Sequence, residues 1–419
     1  MKVRNSLVWF VITAAFIGPG TVTTATAAGA AFGYSLLWTL VFAIVACVVL
    51  QEGVARIYIV AGLTLGQAVR QTLGSGWPMA IAAAIILGCA AYEAGNILGA
   101  VSGVQLITGS HPALSTLLIV ALAALLLASG RFKLLTRLLA FIIGLMGLGL
   151  LVLVISLRPD IPQLSRGLLI PHIPTGGELL TLGLIGTTVV PYNLFLGSQL
   201  AAGQPLRVMR SGLLLATAVG GLISMALVLI GAQVSGDFNF ANIASTLSGL
   251  TGPWGGWLFA FGLFAAGLTS AITAPWAAAI SYTSTRKTNR KTKNFVYVWA
   301  GVLATGLLFG VSGIRPVPVI ILAQAANGIV LPMLATLLFI ILNNRRLLSG
   351  HTNSLPANLL LLLVIWITTM LGLLNIYKAY LTASGSALSP TPASLVVIGA
   401  ISLLYSIVIA IKQATKKQR

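Results

Sequence analysis

Two long apolar segments of this chain each carry a helix-breaking motif near their middle. The motifs are Ile-Gly-Pro-Gly-Thr at 17–21 and Val-Val-Pro-Tyr-Asn at 189–193. Proline removes a backbone donor and clashes with the preceding turn, and glycine adds conformational freedom. Lipid satisfies none of the freed backbone groups, so such breaks survive at membrane depth only where they face protein, water or a bound solute. One interrupted helix in each half of a chain is typical of the central binding site of a transporter.

The composition excludes an ordinary soluble domain. Hydrophobic residues make up 58% of the chain and charged residues 7%. A membrane-spanning helix needs about 20 mostly apolar residues, and most of the chain consists of such segments. The first has a basic start but no cleavage signature, so we interpret it as a retained helix. The twelve predicted spans are 6–33, 36–61, 79–107, 113–129, 134–157, 179–203, 206–234, 254–284, 295–313, 317–343, 357–377 and 393–411.

The net charge of +19 comes from basic residues in short loops and tails, which indicates membrane topology and not a nucleic-acid surface. The opposite loops carry Asp160, Glu178 and Asp237 with fewer basic residues. Both termini are therefore predicted to be cytoplasmic, in a bacterial inner membrane. For the dense run at 286–293, binding of anionic lipid is an alternative. The residues predicted to be cytoplasmic are Arg131, Lys133, Arg137, Arg207, Arg210, Arg286, Lys287, Arg290, Lys291, Lys293, Arg345, Arg346, Lys412, Lys416, Lys417 and Arg419.

Spans one to five and six to ten each begin with an interrupted helix, and five helices per unit invert the second unit. This is the pattern of an all-α secondary transporter with an inverted repeat and two peripheral helices. The predicted units are 1–157, 158–347 and 348–419. A channel is the alternative, but no repeated carbonyl filter motif occurs. An ATP-driven pump is not expected because the sequence has no GxxxxGK[ST] loop.

Several motifs resemble the NRAMP family of metal transporters. The resemblance covers the first ten or eleven spans and is specific in order and spacing. It implies a LeuT-like fold of five plus five helices, with the substrate midway between the first and sixth helices. The matching segments are 18–21, 28–30 and 33–38 in the first helix, Gln51 with 55–56 in the second, 186–196 in the sixth, and Gln324, Asn327 and 331–332 in the tenth.

The chain departs from the NRAMP pattern at the substrate motifs. The family's first-helix motif is Asp-Pro-Gly-Asn, whereas 18–21 reads Gly-Pro-Gly-Thr. Its sixth-helix motif is Met-Pro-His, whereas 190–192 reads Val-Pro-Tyr. Transition-metal ions need charged or soft ligands. The family's aspartate, asparagine, methionine and histidine are all absent from these two motifs. The family's usual metal chemistry is therefore not expected here, nor is proton coupling through the missing histidine.

Neutral hydroxyl, amide and backbone groups take the place of those ligands. The two half-helix N-termini beyond the breaks carry unpaired N–H groups and a partial positive charge. Without the aspartate this potential is uncompensated and favours a compact oxyanion. We interpret Thr23 and Thr188 as threonines whose hydroxyls bond to their own helix. The predicted substrate-binding residues are Gly18, Gly20, Thr21, Thr24, Thr187, Val190, Tyr192, Asn193 and Gln324.

Three further residues are predicted to couple transport to a second ion. Glu93 lies at mid-membrane, where an ionisable group is costly and functional by default. Its alternative role is a structural partnership with a helix break or with a neighbouring polar residue such as Asn96. Thr269 and Ser270 are expected to complete a sodium site with carbonyls of the first break, by analogy with LeuT-like proteins. No resident metal or cofactor is predicted.

The leading hypothesis is a secondary transporter that carries a small anion such as bicarbonate by alternating access. The alternative is a transporter of Mg²⁺ or Mn²⁺ that takes a largely hydrated ion through backbone carbonyls, Asn193 and Gln324. A sensor without transport is disfavoured because two costly helix breaks are kept. An enzyme is not expected, since no nucleophile–base pair occurs. The predicted partners are a small inorganic ion, the lipid bilayer and a coupled sodium ion or proton, with no nucleic acid.

Overall fold

Helices joined by turns and loops make up the described part of the chain. The computed structural model describes residues 9, 17–129, 133–157, 159–286, 293–383 and 392–418. The helices are α1 (Pro19–Phe32), α2 (Leu37–Ala61), α3 (Leu65–Leu73), α4 (Trp77–Thr108), α5 (Pro112–Ser129), α6 (Lys133–Leu157), α7 (Ile161–Leu169), α8 (Glu178–Thr188), α9 (Pro191–Leu200), α10 (Leu206–Gly231), α11 (Phe240–Thr251), α12 (Pro253–Arg286), α13 (Lys293–Val311), α14 (Pro316–Leu342), α15 (Arg345–Leu348), α16 (Leu355–Ala383) and α17 (Pro392–Gln418).

Ten segments within the described ranges are long and apolar enough to cross a membrane, and one of them runs through the α8–α9 break. Each of the predicted spans two to twelve falls on one of the helices or on the α8–α9 pair. The second half of the first predicted span is α1, whereas 6–16, apart from Trp9, lies outside the described residues. Of the basic residues used to predict the topology, five also lie outside: Arg131, Lys287, Arg290, Lys291 and Arg419.

Four short helices between the spans were not predicted from the apolar pattern. Each begins at a polar residue whose side chain accepts a backbone N–H, as helix N-caps do. Thr64 begins α3 in a capping box with Gln67, Asp160 begins α7, Asn239 begins α11 and Asn344 begins α15. A search for apolar runs misses these helices because local capping, not length in lipid, defines them.

The long helix α4 holds the first break in place through glycines that let other helices approach closely. A Cβ added to Gly99 would lie 2.2 Å from Pro19 Cβ, at the start of α1. One added to Gly103 would lie 2.5 Å from Phe264 N in α12, the helix against which α4 packs most extensively. Small residues at such positions permit the backbone contacts by which membrane helices associate.

Arg56 joins α2 to the segment 351–353 at the end predicted to be cytoplasmic. Its guanidinium lies 3.2 Å from Glu52, one turn earlier. It also donates to the His351 carbonyl at 3.0 Å and to the Asn353 side chain. Glu52 accepts in addition from Arg210 of α10 at 2.8 Å. The Arg56 side chain is 8% exposed and that of Arg210 is 55% exposed, so only Arg56 is a buried crosslink.

Removing the Arg56 guanidinium is expected to destabilise the protein more than removing that of Arg210. We expect Arg56→Gln to lower the free energy of unfolding by about 2–3 kcal/mol, because buried acceptors lose a charged donor. Arg210→Gln, which breaks a mostly exposed pair with the same carboxylate, should cost less than about 1 kcal/mol. Chemical unfolding of both variants in detergent micelles measures the difference. Equal losses would contradict the assignment of Arg56 as the crosslink.

Candidate functional site

The second predicted helix break lies between two helices, and the first coincides with the start of a helix. The segment 10–16 before the first break lies outside the described residues. Helix α1 begins at Pro19, and Gly18 before it has an extended backbone and serves as N-cap. Helix α8 ends at Thr188, and α9 begins again at Pro191. Neither α1 nor α9 carries an acidic residue in its first turn. Each break therefore presents a helix N-terminus whose partial positive charge no adjacent carboxylate offsets.

Four predicted substrate residues come together where α1, α8 and α14 meet. The Thr21 and Thr187 hydroxyl oxygens are 2.7 Å apart, which links the first helix to the sixth span. A Cβ on Gly20 would lie 1.9 Å from Gln324 Nε2. A Cβ on Gly186 would lie 2.0 Å from the Gln324 carbonyl oxygen. The glycines therefore allow Gln324 to lie directly against both interrupted segments.

Several buried polar atoms without hydrogen bonds belong to residues of the two interrupted segments and of helices packed against them. Nine such atoms have no hydrogen-bond partner in the part of the chain that the structure describes. Nearly all buried polar groups in proteins are paired with protein, water or a ligand. The cluster is therefore a candidate place for water or a small solute. Its atoms are Thr23 Oγ1, Thr24 Oγ1, Tyr92 Oη, Tyr192 Oη, Asn193 Oδ1 and Nδ2, Ser270 Oγ, Gln324 Oε1 and Asn327 Nδ2.

Tyr192 faces a second tyrosine that sequence reasoning missed. The rings of Tyr92 and Tyr192 meet edge to face, with centroids 5.7 Å apart. The Tyr92 side chain lies near those of Thr187 and Gln324. A hydroxyl-bearing aromatic directly before Glu93 was the signal available in the sequence. Tyr92 is thus the α4 side chain that meets the candidate site.

A narrow cleft beside this tyrosine pair is lined in part by Cys89, Tyr192 and Asn327. The Cys89 and Tyr192 side chains are buried, and Asn327 is 2% exposed. Asn327 lies one turn after Gln324 on α14, as their spacing in the sequence indicates. The cleft contains thiol, phenol and amide groups and no carboxylate.

Val190 and the threonines Thr188 and Thr23 are also buried, but their hydrogen bonds differ. Val190 is 1% exposed, and its carbonyl already accepts the Asn193 N–H at 3.0 Å. The Thr188 hydroxyl donates to Leu184 of its own helix at 3.0 Å, as expected. The Thr23 hydroxyl, which was expected to do the same, has no partner among the described residues. Thr23 therefore belongs with the unpaired cluster and not with the self-bonded threonines.

The predicted coupling residues lie on two sides of the site. Glu93 is fully buried, and Asn96 donates to one carboxylate oxygen at 3.2 Å, which is the contact expected for the alternative, structural role of Glu93. A Cβ on Gly306 would lie 3.0 Å from Glu93 Cγ, which places the glutamate against α13. The Thr269 hydroxyl bonds to Ala265 in its own helix at 2.5 Å.

Ser270 is the better placed of the two residues predicted for a sodium site. A Cβ on Gly18 would lie 2.9 Å from Ser270 Oγ. This hydroxyl therefore reaches the first break, whereas the Thr269 hydroxyl is already bonded within α12. Within the described ranges, no three His, Cys, Asp or Glu residues are grouped so that they could hold a metal ion.

The described helices, with α1, α8 and α14 meeting around buried polar groups, have the arrangement of the LeuT-like fold class. Solved structures confirm this fold. A manganese transporter of Eremococcus coleocola, in complex with an aromatic bis-isothiourea compound, aligns with a TM-score of 0.77 at 20% identity, over 99% of this chain and 94% of that one. MhsT in complex with L-phenylalanine aligns with a TM-score of 0.62 at 15% identity, over 89% of this chain and 98% of that one.

Sequence comparisons identify the family within that class. The family described as natural resistance-associated macrophage protein-like, Nramp, matches residues 9–378. The chain belongs to the NRAMP family, as its motifs predicted. A divalent metal cation transporter MntH of Yersinia pestis is 27% identical over 336 residues, covering 73% of this chain and 82% of that protein. MntH of Deinococcus radiodurans is 29% identical over 291 residues, covering 63% and 65%. These bacterial relatives and the apolar helices support the predicted bacterial plasma membrane.

Proposed function

We propose that this protein is a secondary transporter that carries a divalent metal cation by alternating access. Its relatives are named divalent metal cation transporters, and a solved protein of the same fold is named a manganese transporter. These names favour the cation over bicarbonate, which the sequence alone placed first. Movement of the helices around the two breaks would open the site first to one side of the membrane and then to the other.

The unpaired amide oxygens Asn193 Oδ1 and Gln324 Oε1 are the observation that carries this proposal. Mg²⁺ and Mn²⁺ prefer oxygen ligands, and Gln324 lies against the first break. The chain has five acidic residues, and the one nearest the breaks, Glu93, lies against α13. Neutral ligands offset little of an ion's dehydration, so the substrate keeps several waters. Mg²⁺ behaves in this way because it dehydrates reluctantly.

The oxygen ligands at the breaks should favour Mg²⁺ or Mn²⁺ over later transition metals. Soft thioether and imidazole ligands select later transition metals, and the residues at the breaks supply neither. The hydroxyls of Thr24 and Tyr192 would then bond to the ion's waters instead of to the ion itself. Glu93 would carry the coupled proton, and Ser270 with the first break is the candidate place for a coupled sodium ion.

Bicarbonate is the second candidate, and one observation favours it. The N-termini of α1 and α9 carry no acidic residue in their first turns, which suits an anion. The comparisons lend it no support, so it stands as the rival outcome of the same experiment.

Uptake into proteoliposomes distinguishes the two substrates. Quenching of an internal metal-sensitive dye reports Mn²⁺ entry, a Mg²⁺ indicator reports Mg²⁺, and a pH dye reports alkalinisation driven by bicarbonate. We expect Mg²⁺ or Mn²⁺ to enter the proteoliposomes faster than it enters protein-free vesicles. We expect no bicarbonate-dependent change in internal pH. Alkalinisation without cation entry would refute the proposal and establish the anion.

Removing the Gln324 amide is expected to lower cation uptake at least tenfold. Gln324→Leu takes away an oxygen ligand whose loss should cost about 1.4 kcal/mol or more in the binding step. The matched control is Gln233→Leu, which removes the same amide from an exposed position after α10. Size-exclusion elution and melting temperature establish that both variants are folded. Equal uptake by folded Gln324→Leu and wild type would remove Gln324 from the site.

A further inference from the structure

A groove on the membrane-facing side of the bundle is separate from the candidate substrate site. It has a volume of about 530 Å³ and lies between α14, α16 and α17, near the start of α4. Its wall is almost entirely apolar. Leu73, Trp77, Pro332, Gly372, Ile376 and Tyr405 are among the residues that line it.

Two positions in the lining of the groove lack side-chain or backbone packing contacts. Pro332 lies inside α14, where it removes a backbone hydrogen bond. Gly372 of α16 faces α14 with no side chain, and a Cβ there would come no closer than 4.0 Å to Ile329 Cα. The Thr369 hydroxyl, which also lines the groove, has no partner in the described part of the chain. Neighbouring helices therefore leave this space for another molecule.

The position of the groove makes lipid the medium in contact with it. Helices α14, α16 and α17 are all long enough to span a membrane, and Leu404 beside the groove is 61% exposed. The lining of α14 runs from Ile329 to Ile340. At 1.5 Å per residue this is about 16 Å, which matches one leaflet of a hydrocarbon core about 30 Å thick. An acyl chain has the length and the polarity to occupy it.

Basic side chains lie at the end of the groove that is predicted to be cytoplasmic. Lys412 follows Tyr405 by seven residues on α17, so the two share a helix face, and Lys412 is exposed. Arg70 precedes Leu73 by one turn of α3. Anionic headgroups of the cytoplasmic leaflet are attracted to basic residues at this depth. Trp77, at the start of α4 and 52% exposed, is of the type found at membrane interfaces.

We propose that this groove binds one anionic phospholipid of the cytoplasmic leaflet. One acyl chain lies between α14, α16 and α17, and the headgroup lies near Lys412 and Arg70. Because α14 also carries Gln324, the bound lipid packs against a helix of the substrate site. The proposal concerns a different surface from the transport proposal and does not depend on which ion is carried.

Native mass spectrometry of the detergent-purified full chain tests the proposal with phosphatidylglycerol and phosphatidylcholine of identical acyl chains. We expect one phosphatidylglycerol to be retained at least fivefold more strongly than phosphatidylcholine. Gly372→Phe, which fills the groove, should abolish this retention. Lys412→Gln should reduce the preference for phosphatidylglycerol over phosphatidylcholine severalfold. Binding of the lipid's acyl chain in the groove should remain. Ile376→Trp is a second filling variant for the case in which Gly372→Phe does not fold.

The matched control is Leu404→Phe, which adds an aromatic ring to the lipid-facing side of α17 outside the groove lining. It should retain phosphatidylglycerol like the wild type. Equal retention of the two lipids, or full retention by the folded filling variants, would overturn the proposal. So would a dimer that the filling variants dissociate, because a second copy of the chain would then be the occupant.

Discussion

Replacing Thr21 by aspartate is expected to tighten Mn²⁺ binding by about tenfold to a hundredfold. Thr21 lies in the first turn of α1, within 2.7 Å of Thr187. A carboxylate there is favoured by the helix N-terminus and supplies the charged oxygen that the site lacks. An interaction with a charged partner contributes about 1.5–3 kcal/mol, which corresponds to the stated range of affinity. Isothermal titration of purified Thr21→Asp with MnCl₂ measures the change.

Thr21→Asn is the matched control because asparagine has the shape of aspartate without its charge. It should change Mn²⁺ affinity by less than about threefold, a difference below 1 kcal/mol. If Thr21→Asp left Mn²⁺ binding unchanged but abolished bicarbonate-driven alkalinisation, the added charge would be repelling an anion. That result would reverse the assignment of the substrate.

Gly186→Ala is expected to destabilise the protein by about 3 kcal/mol or more. A Cβ at this position would lie 2.0 Å from the Gln324 carbonyl oxygen and 2.8 Å from Gly328 N. Both are backbone atoms of α14, so no side chain rotates away to make room. Overpacking a well-packed core costs about 1–3 kcal/mol, occasionally more, and a clash with two backbone groups belongs at the upper end. The melting temperature in detergent reports the loss, and cation uptake should fall with it because Gln324 is displaced.

Gly301→Ala provides the control for the change of glycine itself. Gly301 lies in α13, is exposed, and has no atom within 4 Å of an added Cβ. Alanine there should be neutral or stabilising by up to about 1 kcal/mol, since alanine has the higher helix propensity. Similar melting temperatures for the two alanine variants would show that α8 and α14 are not in the close contact described here.

The motifs of the chain allowed several residues that lie together beside the breaks to be named from the sequence. The breaks before Pro19 and Pro191 follow from proline chemistry alone. The residues that meet there include Thr21, Thr187 and Gln324, which were named from their motifs. Tyr92 was missed because an aromatic in an apolar helix is ordinarily packing. The Thr23 hydroxyl was misassigned because self-bonding depends on a rotamer that the sequence does not specify.

The substrate hypothesis shows where reasoning from side chains alone fails. The loss of the family's aspartate, methionine and histidine suggested an anion, and the relatives found by comparison are named as cation transporters. The types of side chain at a site do not by themselves show whether the bound cation has lost its water shell or keeps it. The unpaired oxygens of Asn193 and Gln324 make the second possibility chemically reasonable.

The sequence by itself determined the membrane class, the spans from the second onward, the helix break before Pro191 and the family. These depend on apolar length, proline and local motifs, which are properties of neighbouring residues in the chain. Only the tertiary structure decided that Gln324 lies against Gly20 and Gly186, that Tyr92 meets Tyr192, and that Arg56 joins α2 to 351–353. Such contacts depend on how helices far apart in sequence rotate and approach, and that is settled by the packing of all of them together.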